Sequence, residues 1–125
     1  MVQTDLLRGL SKRFRLFIHT GRPRSEYAPL WGEVLDPLFE RVVCKDDFPG
    51  QRPKPAPDQL EVLLQEQGLS KGYYIGNSVD DMQSAAAAGL FPIGVATTQS
   101  ERILQTAGAA RVINSPCSIA EEFML

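Results

Sequence analysis

Five short apolar runs alternate with longer amphipathic stretches, and this alternation constrains the fold more than any other feature of the sequence. The runs are RLFIHT (15–20), RVVC (41–44), YYI (73–75), PIGVA (92–96) and RVI (111–113). Between them the spacing of apolar residues is helical. Thr4 is placed to cap a helix running to Lys12, with Leu6, Leu7 and Leu10 on one face. Ser25 opens a second helix carrying Tyr27, Leu30, Trp31 and Val34, which Pro37 breaks or restarts. Further helices are predicted over 57–68 and 79–89, each stopped by a glycine, and over 100–107 and 117–123. The short runs are apolar throughout rather than alternating, which predicts strands buried on both faces. The expected fold is therefore α/β, a Rossmann-like parallel sheet flanked by helices.

The 125 residues, 43% of them apolar and 22% charged, fit one domain spanning 1–125. A net charge of −2 argues against a nucleic-acid partner or a polybasic membrane anchor. No apolar run approaches the ~18–20 residues of a membrane-spanning helix, and the N-terminus has no apolar core of a signal peptide. Cys44 and Cys117 form no CxxC pair. The expectation is a reduced, cytoplasmic chain without structural zinc. Charge is uneven: residues 1–24 hold six basic groups and one acid, and residues 25–125 seven basic groups and fourteen acids. The basic start is either an attractor of anions or a solvated helix face followed by a loop.

Ligand chemistry in parallel α/β sheets sits at the carboxyl ends of the strands. Three such places carry polar residues here. Thr20-Gly21-Arg22 follows the first run and offers a hydroxyl and backbone N–H groups to an anion, or simply caps a turn. Lys54 is held between Pro53 and Pro55 in a proline-rich loop, ahead of a helix N-terminus that favours anions. Gly76 ends the third run, and Asn77, Ser78, Asp80 and Asp81 crowd the following turn. Oxygen ligands gathered there suit Mg²⁺, and the same residue types are ordinary helix N-caps.

In order, these three resemble the haloacid dehalogenase superfamily of phosphohydrolases over roughly residues 10–115, most nearly its phosphoglycolate-phosphatase-like group. LFIHTGRPRSE is similar to that family's second motif, KPAPD to its third and YYIGNSVDDMQSAAAAG to its fourth. The resemblance implies that Thr20, with the Gly21 amide, and Lys54 bind the substrate phosphate. It also implies that the fourth-motif acids hold Mg²⁺. Asp81 takes the second acidic position, with Asp80 a weaker candidate, and Asn77 stands where the family usually has Asp. Such a site would act on a small phosphorylated metabolite.

The family's first motif, DxDxT, supplies its aspartate nucleophile and general acid/base. It does not occur in these 125 residues. By the family's order the chain starts after that motif, which leaves it a partial domain without the central first strand and the substrate-selecting cap. It would then be a truncated product, a chain completed by another segment or by self-association, or a smaller sheet closed on itself. No other nucleophile stands out. Cys44 has no histidine partner in sight, and His19 alternates with Thr20 and reads as a packed or hydrogen-bonded side chain. Asp46 and Asp47 read as solvated loop acids. The expected function is a phosphatase remnant or fragment, inactive alone. A non-catalytic α/β interaction or regulatory module of the same ancestry is the alternative.

Overall fold

The computed structural model describes residues 4–123. The chain divides into two compact units, one running through Pro49 and including Phe123, the other spanning Gly50–Glu122.

The first unit opens with helix α1 (Thr4–Ser11) and contains two parallel strands, β1 (Phe17–His19) and β2 (Arg41–Val43). The capping role expected of the Thr4 side chain lies outside the described residues. Ile18 stands opposite Val42 and His19 opposite Val43. The crossover between the strands is helical but interrupted. Helix α2 (Arg24–Tyr27) widens into a π turn over Ala28–Gly32, then continues as α3 (Glu33–Leu35) and a 3-10 turn over Asp36–Leu38. Pro29 accounts for the widening, since its ring excludes the i−4 carbonyl and it has no N–H to donate. Tyr27, Val42 and Cys44 form the core, with Ile18, Trp31, Leu35 and Phe39 packed on it.

The basic start of the chain is tied down within this unit. Arg13 donates to the Phe123 carbonyl, Arg15 pairs with Glu40, Arg22 with Glu26 and Arg24 with Asp47. Arg22 also lies over the Trp31 ring, 4.8 Å from its centre. Arg13, Arg15 and Arg22 stay exposed nonetheless, as a solvated face and loop would have them.

The second unit is a three-stranded parallel sheet of order β3-β4-β5, with β3 at Tyr73–Gly76, β4 at Phe91–Val95 and β5 at Arg111–Ile113. Ile75 faces Ile93, and Ile93 in turn faces Arg111. Helix α4 (Asp58–Gln67) ends at Gly68, whose φ of 69° is left-handed and suits glycine. Helices α5 (Val79–Ala87) and α6 (Glu101–Thr106) follow β3 and β4, and a short turn leads from β5 into α7 (Ile119–Glu122). Leu60, Leu63, Met82, Ala85, Ile93 and Leu104 fill the core.

β4, the middle strand, is buried from Pro92 to Val95, as its unbroken apolar run predicts. β3 departs from that prediction: Tyr73 and Ile75 are 53% and 37% exposed. It is an edge strand of this sheet, covered by a neighbour on one side only.

Candidate functional site

The site is assembled where the proline-rich loop meets the N-terminus of α5. Ser78 is the N-cap of that helix. Its hydroxyl accepts the Asp81 N–H at 3.0 Å, and Asp81 Oδ2 accepts the Ser78 N–H at 3.3 Å. This reciprocal capping box is encoded by the Ser-x-x-Asp spacing. Asp81 Oδ2 also accepts the Asn77 N–H at 3.1 Å. Gly76 makes the tight turn possible by its lack of a side chain. A Cβ there would stand 2.6 Å from the Asp81 Cβ, a distance at which the aspartate would have to move.

The other carboxylate oxygen faces the loop. Lys54 Nζ donates to Asp81 Oδ1 at 2.6 Å, and the two side chains are 17% and 10% exposed. The Tyr74 hydroxyl lies 3.4 Å from the same oxygen. Burial alone would push the Asp81 carboxyl up. The hydrogen bond and charge of Lys54, with the Asn77 amide and Ser78, outweigh it and hold the group below the usual carboxylate range. Burial and the neighbouring Asp81 charge push the Tyr74 phenol well above its ordinary value, so it stays protonated and able to donate.

Beside this pair runs an open groove of about 340 Å³ lined by Ile75, Gly76, Asn77, Asp81, Val95 and Thr97. The Asn77 carbonyl accepts from the Thr98 hydroxyl at 3.4 Å, which ties the ends of β3 and β4 together. The structure thus brings Lys54, Asn77 and Asp81 to one place. Asp80 is exposed on the first turn of α5, whereas Asp81 is buried. The N-cap reading of this turn holds, and Asp81, besides capping the helix, holds the lysine.

The donors present do not by themselves compose a divalent-cation site. Asp81 already accepts from Lys54 on one oxygen and from two amides on the other. Among the described residues no three His, Cys, Asp or Glu side chains gather as metal ligands.

Thr20 and Gly21 lie in the first unit, just beyond β1. The Thr20 N–H donates to the Val43 carbonyl at 2.9 Å, and its Oγ1 accepts the Arg22 N–H at 3.1 Å. The threonine therefore shapes the turn while its own hydroxyl proton can still be donated. Of the two acids after β2, Asp46 is exposed as expected, whereas Asp47 is largely covered. Asp46 accepts the Arg24 N–H at 2.9 Å, and Asp47 binds the Arg24 guanidinium and accepts the Cys44 N–H at 2.8 Å. Burial pushes the Cys44 thiol up, away from the thiolate a nucleophile requires.

Sequence reasoning missed Tyr74 and the tether between Ser84 and the Ala56 carbonyl, at 2.9 Å. No motif announces either, because each depends on which segments meet in space.

Residues 2–89 match the haloacid dehalogenase-like hydrolase family, and the chain belongs to it. A candidate phosphoglycolate phosphatase from Lactobacillus delbrueckii subsp. bulgaricus superposes with a TM-score of 0.79 at 26% identity, over 94% of this chain and 50% of that one. A candidate beta-phosphoglucomutase from Thermotoga maritima shares the fold, with a TM-score of 0.84 at 23% identity over 97% of this chain and 57% of that one. A curated protein of Phytophthora nicotianae, named imidazoleglycerol-phosphate dehydratase, is 32% identical over 112 residues, 84% of this chain and 24% of that protein. The chain thus spans about half the length of these solved relatives and a quarter of the curated one. Among the described residues, no helix is long and apolar enough to cross a membrane.

Proposed function

We propose that this chain is a partial phosphohydrolase domain that holds the phosphate of a small phosphorylated metabolite but does not cleave it alone. The observation that carries the reading is the Lys54–Asp81 pair, a lysine fixed by a buried carboxylate at the carboxyl end of a parallel strand. A phosphate approaching Lys54 meets a cation whose position is already set, so little side-chain entropy remains to be lost. The family resemblance assigns phosphate-binding roles to Thr20 and the Gly21 amide of the first unit as well.

The nucleophile comes from a complementing segment or a second polypeptide that adds a strand ending in an aspartate. Mg²⁺ is the family's cofactor, and when bound it offsets charge on the phosphoryl oxygens. This chain's share of its coordination would be weak, from Asp81 and Asn77, with Asp80 exposed nearby on the same helix. The setting is cytoplasmic, without nucleic-acid or membrane partners.

A non-catalytic regulatory module is the second reading. It is favoured by Asn77, which puts a neutral amide where the family usually carries an acid. An in-frame DxDxT upstream of Met1 in the coding DNA would decide for the enzyme, and its absence there for the module.

Titration of the chain with inorganic phosphate, followed by NMR, tests the proposal. Signals of Lys54 are expected to move with those of Asn77 and Asp81 along one binding curve, and signals of Thr20 and Gly21 are expected to respond in the first unit. Shifts confined to Arg8, Lys12 and Arg13 would place the anion on the basic N-terminus and overturn the assignment.

A further inference from the structure

Lysine carries four rotatable side-chain bonds, and a lysine in a loop holds one position only if the loop itself is held. The loop around Lys54 is closed on itself. The Ala56 N–H donates to the Pro53 carbonyl at 3.0 Å. Arg52 binds Asp58 through its backbone N–H, its Nε and its Nη2 at 3.1, 3.0 and 2.8 Å. That staple is a solvated one, with the Arg52 side chain 73% exposed, and it joins the loop to the start of α4. Neither contact reaches α5, where Asp81 sits.

Ser84 does. It lies three residues beyond Asp81, on the same face of the helix, and it is fully buried. A serine inside a helix ordinarily turns its hydroxyl to a carbonyl of its own preceding turn. Here the hydroxyl donates instead to the Ala56 carbonyl, at 2.9 Å, two residues after Lys54. Three alanines follow it in the same helix and a fourth is its C-cap, and alanine is the better helix former at this position too. The hydroxyl is explained by what it bonds across the gap, not by helix propensity.

We propose that Ser84 is a positioning residue: its bond to Ala56 fixes the loop on α5 and thereby sets the Lys54 ammonium on Asp81. The phosphate arm of the test rests on the function proposed above, and the phosphate-free arm does not.

The test compares the unmodified chain with Ser84→Ala and Arg52→Ala. In the absence of phosphate, an NMR cross-relaxation contact between the Lys54 and Asp81 side chains is expected in the unmodified chain and in Arg52→Ala, and is lost in Ser84→Ala. The amide signals of β3, β4 and β5 should stay in place in all three. Affinity for inorganic phosphate should fall about fivefold in Ser84→Ala, the factor corresponding to one net hydrogen bond of about 1 kcal/mol. A Lys54–Asp81 contact that persists in Ser84→Ala overturns the proposal. So does its equal loss in Arg52→Ala, which would make loop closure the device, and so does collapse of the sheet signals in Ser84→Ala, which would make Ser84 a packing residue. If the contact is lost in Ser84→Ala while no chain responds to phosphate, the positioning role stands and the phosphate reading falls.

Discussion

Given a generic aryl phosphate and Mg²⁺, the chain is expected to release the phenol at a rate little above that of buffer. Phosphoryl transfer in this family goes through a carboxylate nucleophile, and a positioned lysine offsets charge without forming the new bond. The nucleophilic side chains that follow the strands of the first unit are committed elsewhere. Asp47 is bound by Arg24 and the Cys44 amide, Asp46 accepts the Arg24 amide, and the Cys44 thiol is fully buried. In the second unit Asp81 is held by Lys54 and two amides. Binding groups that survive the loss of a nucleophile leave some catalysis over water, far below ordinary turnover. Turnover near about 1 per second, the low end of common enzymes, would mean that a nucleophile exists among these residues. Loss of that turnover in Lys54→Ala would locate it at this site.

Replacing Lys54 by Met is expected to destabilise the second unit strongly. It keeps the aliphatic stem and removes the ammonium that faces Asp81 at 2.6 Å. Removing one partner of a buried pair costs about 3–5 kcal/mol, because the other charge stays behind uncompensated. The two amides that Asp81 retains place this site at about 3 kcal/mol, the lower end of that range. The effect depends on pH with a definite sign. In the unmodified chain the folded Asp81 carboxyl lies below its ordinary value. Its contribution is therefore present above about pH 4, the unfolded value, and is lost as pH falls through the folded one. Without the lysine, burial becomes the larger influence and pushes the folded carboxyl above the unfolded value. The variant then gains relative stability on acidification. Urea unfolding at pH 7 and at about pH 3.5 should show a large difference between the two chains that narrows in acid. An equal difference at both pH values would mean that the lysine acts through packing alone.

Much of the second unit was readable from the sequence because its signals are local. Gly68 stops α4 and Ser-x-x-Asp opens α5, and each of these acts within a few residues. The crossover of the first unit was harder. Its apolar spacing reads as one helix from Ser25, and the effect of Pro29 on the ladder appears only as a π turn in three dimensions. β3 was misjudged because an apolar strand looks the same in sequence at a sheet edge or a sheet centre, and only the pairing order tells them apart. Lys54 and Asp81 could be connected in advance only through a family resemblance, since 27 positions separate them and no periodicity links a loop to a helix. Ser84 was invisible for the same reason, a lone hydroxyl ahead of a run of alanines. The commitment of Asp46 and Asp47 to Arg24 was likewise hidden, because it depends on where α2 begins relative to the turn after β2.

On the reading proposed above, these residues hold a phosphate and contain no group that accepts it covalently. Intact-mass spectrometry after incubation with acetyl phosphate and Mg²⁺, with acid quench to preserve an acyl phosphate, tests this most directly. A single unmodified mass is expected for the chain and for Lys54→Ala alike. A phosphorylated species in the unmodified chain, absent in Lys54→Ala and mapping by peptide analysis to Asp46, Asp47, Asp81 or any other carboxylate, would contradict it.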